Sequence, residues 1–386
     1  MTDSGAIVTD PAVSSGVQLR VGLIGVGSVC AAVHYPGLAR IPGVEIAAIC
    51  DANAELVSQR QAEWNVERGF TDVADLFSQG LDAVVIATPN DQHRPLIEAA
   101  LEARCHVMCE KPLGMSLAQT IQIYEAAEAS GLHHMTAFTY RFVPAMYYLR
   151  HLIRTGELGD IRHARIQRLQ VWGEHAIGWR QYRQQAGLGE LGDMGIHRID
   201  YAEDLLGPTR SVCASMKQLV PRDRTEDGQA CPAQDVEDWV AWMAEYDSGA
   251  TCVFEMGKLS KGRGPGGDHD LCEINGTKAS AAYHLHTPHQ LLIGGRREPY
   301  EIVPVPSEFL TRPGSPRDPS EGDPVRTFRY DQAWEFVSAI REERPCQPSF
   351  WHGMRAQAVA EAIVTADRER RWVDIPSVPA QPESVS

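Results

Sequence analysis

Gly22-Leu23-Ile24-Gly25-Val26-Gly27-Ser28-Val29-Cys30 begins within a strand-length apolar run, Leu19–Ile24, and carries the chain out of it. Glycine at 25 lets a strand turn sharply, and glycine at 27 lets backbone amides approach a pyrophosphate, whose charge the start of a following helix favours. The third small position of such a fingerprint holds Cys30 in place of glycine or alanine, small enough for close helix–strand packing but a departure from the pattern. Asp51 strengthens the reading. It ends a second apolar run, Val44–Cys50, 21 residues after Cys30, where a carboxylate accepts from a ribose 2′-hydroxyl. A carboxylate there repels a 2′-phosphate, and the following Ala52 and Asn53 bring no arginine, so the expected cofactor is NAD in preference to NADP.

Working outward, further strand candidates are Ala83–Ala87, His106–Cys109 and His134–Phe138, separated by helical stretches such as Ala54–Trp64, Gln92–Ala103 and Leu117–Ala129. This alternation implies right-handed βαβ units and a parallel sheet covered on both faces. After Phe142 the strand candidates arrive with little helix between them: Ile161–Val171, Ser211–Leu219, Asp238–Tyr246, Ala250–Met256, Leu271–Asn275, Gln290–Ile293 and Glu301–Val305. Tyr246-Asp247-Ser248-Gly249-Ala250 reads as a hairpin turn, and helical stretches near Asp331–Arg341 and His352–Arg368 close the chain. The expected organisation is a flexible tail over 1–17, a nucleotide-binding domain over 18–138, a second domain over 139–376 and a flexible tail over 377–386. Pro221–Gln234, Gly262–Asp268 and Pro313–Pro324 read as loops, and Asp268-His269-Asp270 as a polar loop.

The composition excludes several classes of function. With 36 basic and 51 acidic residues among 386, the net charge is −15, and no basic patch stands out, so nucleic acid and anionic membranes are not expected partners. The longest apolar runs are strand-length, too short for a membrane span. The first seventeen residues lack a basic start and an apolar stretch and do not read as a secretory signal. Nine scattered cysteines, several inside apolar runs, suit reduced thiols and a cytoplasmic location. No metal site is expected: Cys105 and Cys109 have no partner pair, and nothing brings His284 and His286 near another ligand set.

Two later segments are more specific than the glycines. Ala83-Val84-Val85-Ile86-Ala87-Thr88-Pro89-Asn90-Asp91-Gln92-His93 is a strand ending in Thr-Pro-Asn with a histidine three residues on; His106-Val107-Met108-Cys109-Glu110-Lys111-Pro112 is a strand ending in Glu-Lys-Pro. This pairing resembles the glucose–fructose oxidoreductase / inositol dehydrogenase / rhizopine-catabolism (Gfo/Idh/MocA) family. Gly189-Glu190-Leu191-Gly192-Asp193-Met194-Gly195-Ile196-His197-Arg198-Ile199-Asp200 continues the likeness, which runs from Leu19 to Ile375. It implies an α/β protein: an N-terminal Rossmann domain, then a C-terminal α+β domain on a large, mostly antiparallel open sheet.

The resemblance also implies a set of site residues. Lys111, Asp193 and His197 match the three groups that surround the reacting hydroxyl. Gly25, Gly27, Ser28, Val29 and Asp51 match the nucleotide side, and Thr88, Pro89, Asn90, His93, Glu110 and Lys111 the nicotinamide side. An ammonium at 111 can polarise a substrate oxygen. A histidine four residues after a carboxylate shares its helix face, so Asp193 is expected to orient His197 as the acid/base. Read without the resemblance, Asp193 is equally an N-cap and His197 an ordinary helix residue. Arg141, Trp172, Trp179, Arg180 and Tyr182 are the substrate-binding candidates, since aromatic faces interleaved with polar groups suit a pyranose or cyclitol; the tryptophans serve equally well as core or oligomer contacts.

The expected activity is oxidation of a secondary hydroxyl of a sugar, sugar derivative or inositol by NAD, or the reverse reduction, in a homodimer or homotetramer. Two alternatives stay open at this level: a redox-neutral enzyme that retains NAD while cleaving or epimerising a glycoside, and a non-catalytic nucleotide sensor.

Overall fold

A computed structural model describes residues 18–263 and 269–381; the expected tail over 1–17, the end of the expected tail over 382–386, and Asp268 lie outside the described residues. Within the first third, β1 (Leu19–Ile24), β2 (Val44–Cys50), β3 (Gly69–Phe70), β4 (Ala83–Ile86), β5 (His106–Cys109) and β6 (His134–Thr136) form one sheet in the order β3-β2-β1-β4-β5-β6. Every pair in it is parallel. Such a sheet is covered on both faces, and β4 is accordingly buried at all four positions. The order reverses between β1 and β4, and the crevice outside the carboxyl ends of strands at such a point is where open α/β sheets bind ligands. Local chemistry sets the helix ends: Asn53 Oδ1 accepts from Leu56 N, Ser116 Oγ from Gln119 N, and Gly131 takes a left-handed conformation after the helix Leu117–Ser130.

The second sheet has nine strands. They are β7 (Ile161–Leu169), β8 (Thr209–Lys217), β9 (Trp239–Tyr246), β10 (Thr251–Gly257), β11 (His269–Gly276), β12 (Ser280–His284), β13 (Gln290–Gly294), β14 (Glu301–Pro304) and β15 (Val373–Asp374). Their order is β14-β13-β12-β11-β7-β10-β9-β8-β15, with only β7 and β10 paired in parallel. Three strands escape the sequence patterns: β3 and β15 are two residues long, and β12, Ser-Ala-Ala-Tyr-His, lacks a run of β-branched side chains.

The expected polar loop over 268–270 is a further difference. His269 and Asp270 begin β11, and Asp270 stands directly opposite Arg168 of β7, 2% exposed. The side-chain period of two explains it: Asp270, Cys272 and Ile274 form one buried face of β11, as Ala164, Ile166 and Arg168 do on β7.

The helix Phe350–Glu369 ties the two sheets together. Its first turns, with Phe350 and Met354, belong to the apolar cluster around Ile123 and Tyr124, while Ala356, Val359 and Ile363 belong to the cluster that includes Val212 and Trp242. The expected tail from 377 is partly held: Trp351 Nε1 donates to the Pro379 carbonyl (2.9 Å), Tyr124 donates to the Ala380 carbonyl (3.4 Å), and Val378 packs on the first cluster. Among the described residues no helix is long and apolar enough to cross a membrane.

Candidate active site

Between the two sheets lies a cavity of about 710 Å³ whose wall draws on both. At one end the glycine-rich loop leaves β1. Gly25 has φ +82°, and a Cβ there would sit 2.7 Å from the Ala87 carbonyl carbon and oxygen, so only glycine lets the ends of β1 and β4 close up. Gly27 has nothing within 4 Å of where its Cβ would be, which leaves the backbone approachable from the cavity. Asp51 pins this loop, Oδ2 accepting from Val26 N (2.9 Å) and Oδ1 from Asn53 N (3.0 Å). Each oxygen keeps a second lone-pair site, and Asp51 lines the cavity. Arg60 reaches the loop from the next helix, but it donates to the Val26 carbonyl (3.2 Å) and pairs with Glu63. Cys30, 1% exposed, fills the third small position, its thiol pushed up to about 12 by burial.

Ser28, Val29, Thr88, Pro89, Asn90 and Glu110 also line the cavity. Thr88 Oγ1 is buried without a hydrogen-bond partner in the protein. Asn90 Nδ2 donates to the Ala186 carbonyl (2.9 Å), and Glu110 Oε1 meets His34 Nε2 (2.8 Å). These residues fit a dinucleotide: an open glycine backbone, an acceptor at the end of β2 and an orphaned hydroxyl on the wall. His93 does not reach the cavity. It is fully buried, with Nδ1 against the Pro112 carbonyl (2.7 Å) and Nε2 against the Thr88 carbonyl (3.2 Å), and so staples two wall-forming loops to each other. The Lys111–Pro112 peptide is cis.

At the other end stand Lys111, Asp193 and His197. Lys111 Nζ donates to the Asp193 carbonyl (2.9 Å) and lies 3.3 Å from Asp193 Oδ1. Burial pushes the Asp193 carboxyl up, but the charges of Lys111, Lys258 and Arg180 outweigh it and hold the group down at about 2. This arrangement corrects one expectation, because Asp193 makes no hydrogen bond to His197. The ammonium offers a full opposite charge that a neutral ring does not, so the carboxylate turns to Lys111. His197 is 5% exposed, with Nδ1 buried and partnerless, packed edge-on to Tyr140 (4.9 Å between ring centres). Burial, then the cations Lys111, Arg198, Arg329 and Arg168, hold its pKa well below that of an ordinary histidine.

Of the expected substrate contacts, Trp179 and Arg180 line the cavity and three others do not. Arg141 is locked in a bidentate bond with buried Asp200 (2.7 Å to each oxygen). Its neighbour Tyr140 takes the wall position, since successive residues of the 3₁₀ turn Thr139–Phe142 point about 120° apart. Trp172 is 41% exposed, with Lys258 Nζ 4.8 Å from its ring centre, and Tyr182 donates to the Pro232 carbonyl (3.3 Å).

Sequence motifs missed a second group of residues. Arg168, Gln170, Arg329 and Gln332 complete the wall. Behind it Asp270 bridges Arg198 and Arg168 (3.2 Å to the latter), and Lys258 pairs with Glu190 (3.1 Å), both fully buried. Burial pushes Glu190 up to about 7 against the pull of Lys258. One signal could have found part of this set: an arginine continuing the inward face of β7 after Ala164 and Ile166, a position where a charge needs a partner.

Two family models match the chain: "Oxidoreductase family, NAD-binding Rossmann fold" over residues 19–138, and "GFO/IDH/MocA C-terminal domain" over residues 146–282. Levoglucosan dehydrogenase of Pseudarthrobacter phenanthrenivorans is 28% identical, over 94% of this chain and 100% of its own length. D-apiose dehydrogenase of Paraburkholderia graminis is 25% identical, over 92% of this chain and 89% of its own. A solved structure of levoglucosan dehydrogenase in complex with NADH and levoglucosan superposes with a TM-score of 0.85 at 28% identity, covering 93% of this chain and all of the other. The parallel sheet with its glycine-rich turn, the open antiparallel sheet and both family matches agree: the chain belongs to the GFO/IDH/MocA family of NAD-binding oxidoreductases.

Proposed function

We propose that this enzyme is a dehydrogenase that prefers NAD to NADP and oxidises a secondary hydroxyl of a sugar, sugar derivative or inositol, reducing the keto form in reverse. The observation that carries the reading is a single cavity with the glycine-rich loop at one end and Lys111, Asp193 and His197 at the other. NAD, when bound, supplies the hydride acceptor. His197, kept neutral by its surroundings, takes the hydroxyl proton at Nε2, because Nδ1 is sealed from the cavity. Lys111 has three N–H groups, two of them directed at Asp193; the third is left for the substrate oxygen, where it favours alkoxide character. Asp193 thus acts as a positioning residue for Lys111. Asp51 favours NAD because it sets a negative charge where NADP carries a phosphate, and Arg60 is already engaged.

The similarity to sugar dehydrogenases supports the substrate class. Nine free thiols support a cytoplasmic location. Homo-oligomer formation is supported by the outer face of the second sheet, where Met243 and Val253 lie opposite each other across β9 and β10 and are 46% and 51% exposed.

The test is the initial rate of NADH formation with a panel of hexoses, glycosides and inositols, with NADP in parallel, for the natural enzyme and His197→Ala. Turnover on one group of substrates, lost by at least a hundredfold in His197→Ala, is expected. Undiminished turnover in that variant would remove His197 from the proposed role, and a preference for NADP would refute the reading of Asp51.

A further inference from the structure

The hydroxyl end of the cavity carries more positive charge than the proposed reaction needs. Lys111, Lys258, Arg168, Arg180, Arg198 and Arg329 all act on Asp193 or His197. Asp193 forms an ion pair with Lys111, Glu190 with Lys258, and Asp270 with both Arg168 and Arg198, while Glu110 and Glu237 act on Lys111 and Lys258 from farther off. Arg180 and Arg329 have no carboxylate partner among the described residues, although both are half-buried on the cavity wall. Arg180 lies 4.5 Å from the Trp179 ring centre. Arg329 leans on Phe328 (5.6 Å) and Tyr140 (5.8 Å), its Nε buried without a hydrogen-bond acceptor.

A second observation points to a ligand at the same place. Gln332 lines the cavity and is 1% exposed, and neither its Nε2 nor its Oε1 has a partner in the protein. A buried amide left unpaired costs free energy, and so does a guanidinium drawn out of water without a counter-charge; both costs are relieved by a polar, negatively charged ligand. Backbone amides of the glycine-rich loop serve the nucleotide phosphates at the opposite end, so these arginines are not needed there. In a chain of net charge −15, an unneutralised cationic pocket is a local feature and not a by-product of composition.

We propose that the substrate is an anionic sugar derivative whose carboxylate or phosphate oxygens are bound by Arg180 and Arg329, with Gln332 on a neighbouring hydroxyl. The proposal rests on the dehydrogenase reading for the position of the reacting hydroxyl. The planar guanidinium fork suits either oxyanion, and a charge-assisted pair favours the anionic member of any matched pair of sugars by tenfold or more.

The test uses enzyme saturated with NADH, which cannot oxidise the sugar, and measures binding by isothermal titration calorimetry. The ligands are glucose against glucuronate, galactose against galacturonate, and glucose against glucose 6-phosphate. At least one anionic member should bind about tenfold or more tightly than its neutral partner, and which pair shows it distinguishes a carboxylate from a phosphate. The advantage should shrink in Arg180→Gln and in Arg329→Gln and vanish in the double variant, with Arg329→Lys keeping part of it. A second measurement needs no variant: the advantage should weaken as salt is raised. No anion advantage in any pair, including no binding at all, would overturn the proposal, as would an advantage that survives in the double variant. NADH formation from neutral sugars without anion preference would overturn this inference and leave the dehydrogenase reading standing. Anion binding through the two arginines without turnover on any substrate would do the reverse.

Discussion

Replacing Lys111 by methionine removes one charge while a chain of similar length fills the same space. Lys111 Nζ is held by the Asp193 carbonyl at 2.9 Å and by Asp193 Oδ1 at 3.3 Å, so it is fixed before substrate arrives. A preorganised donor of this kind is worth about 2.7–4 kcal/mol to a developing oxyanion, or roughly 10²–10³ in rate. Asp193 does not compensate. Its carboxyl would rise from about 2, yet Lys258 and Arg180 remain to keep it ionised and unable to donate. Because the lost contact is strongest with alkoxide character, kcat should fall along with kcat/KM.

The same variant has a second, independent signature. With His197 as the proposed base, oxidation needs the neutral ring, so kcat/KM should rise with pH through its pKa. Burial first, and Lys111 second, depress that pKa, which sets the acid limb well below the usual histidine range and leaves the profile flat near neutrality. Without Lys111 the pKa moves back up, and the limb moves to higher pH. The assay is NADH formation over a pH series at subsaturating substrate. A loss smaller than about tenfold, or an acid limb that stays put or moves to lower pH, would refute both the role of Lys111 and its placement beside His197.

Two further substitutions test the surroundings. Asp270→Asn leaves the fully buried Arg198 without its counter-charge and removes one ion pair from Arg168, and breaking a buried pair costs about 3–5 kcal/mol; an unchanged thermal unfolding midpoint would contradict the ion bridge. Asp51→Ala removes the acceptor for Val26 N and Asn53 N together with the carboxylate proposed to face the ribose, so the KM for NAD should rise about tenfold and the proposed preference over NADP should narrow. Steady-state kinetics with both nucleotides would show it, and an undiminished preference for NAD would assign discrimination to other residues.

Most of the fold was legible because each signal is local. The strand Val44–Cys50, the helix Ala54–Trp64 and the helix Asp331–Arg341 carry their periodicity and end signals in their own residues, and the structure has them at the expected bounds. The glycine-rich turn was legible for the same reason, since one conformation at Gly25 requires one residue type. Lys111, Asp193 and His197 came from motifs, which place residues on elements but not side chains on partners. The i, i+4 spacing made Asp193 and His197 neighbours on a helix; a lysine 82 residues earlier took the carboxylate instead. Arg141 failed by one position, because a 3₁₀ turn sends its neighbour to the cavity and the arginine to Asp200.

The remainder of the site depends on register, which no motif records. Arg168 and Asp270 are 102 residues apart, and antiparallel pairing of β7 with β11 sets them face to face. A slip of one residue would turn both to the other face of the sheet. That pairing determines the charge of the cavity end. With Asp270 committed to Arg168 and Arg198, neither Arg180 nor Arg329 has a carboxylate partner among the described residues. The nucleotide end follows from a loop that could be read residue by residue, whereas the proposed substrate end follows from strand pairing and from arginines with no motif around them. On the function proposed above, substitutions at 168, 180, 329 and 332 should change which sugar is accepted while Lys111, Asp193 and His197 leave the reaction at the hydroxyl the same.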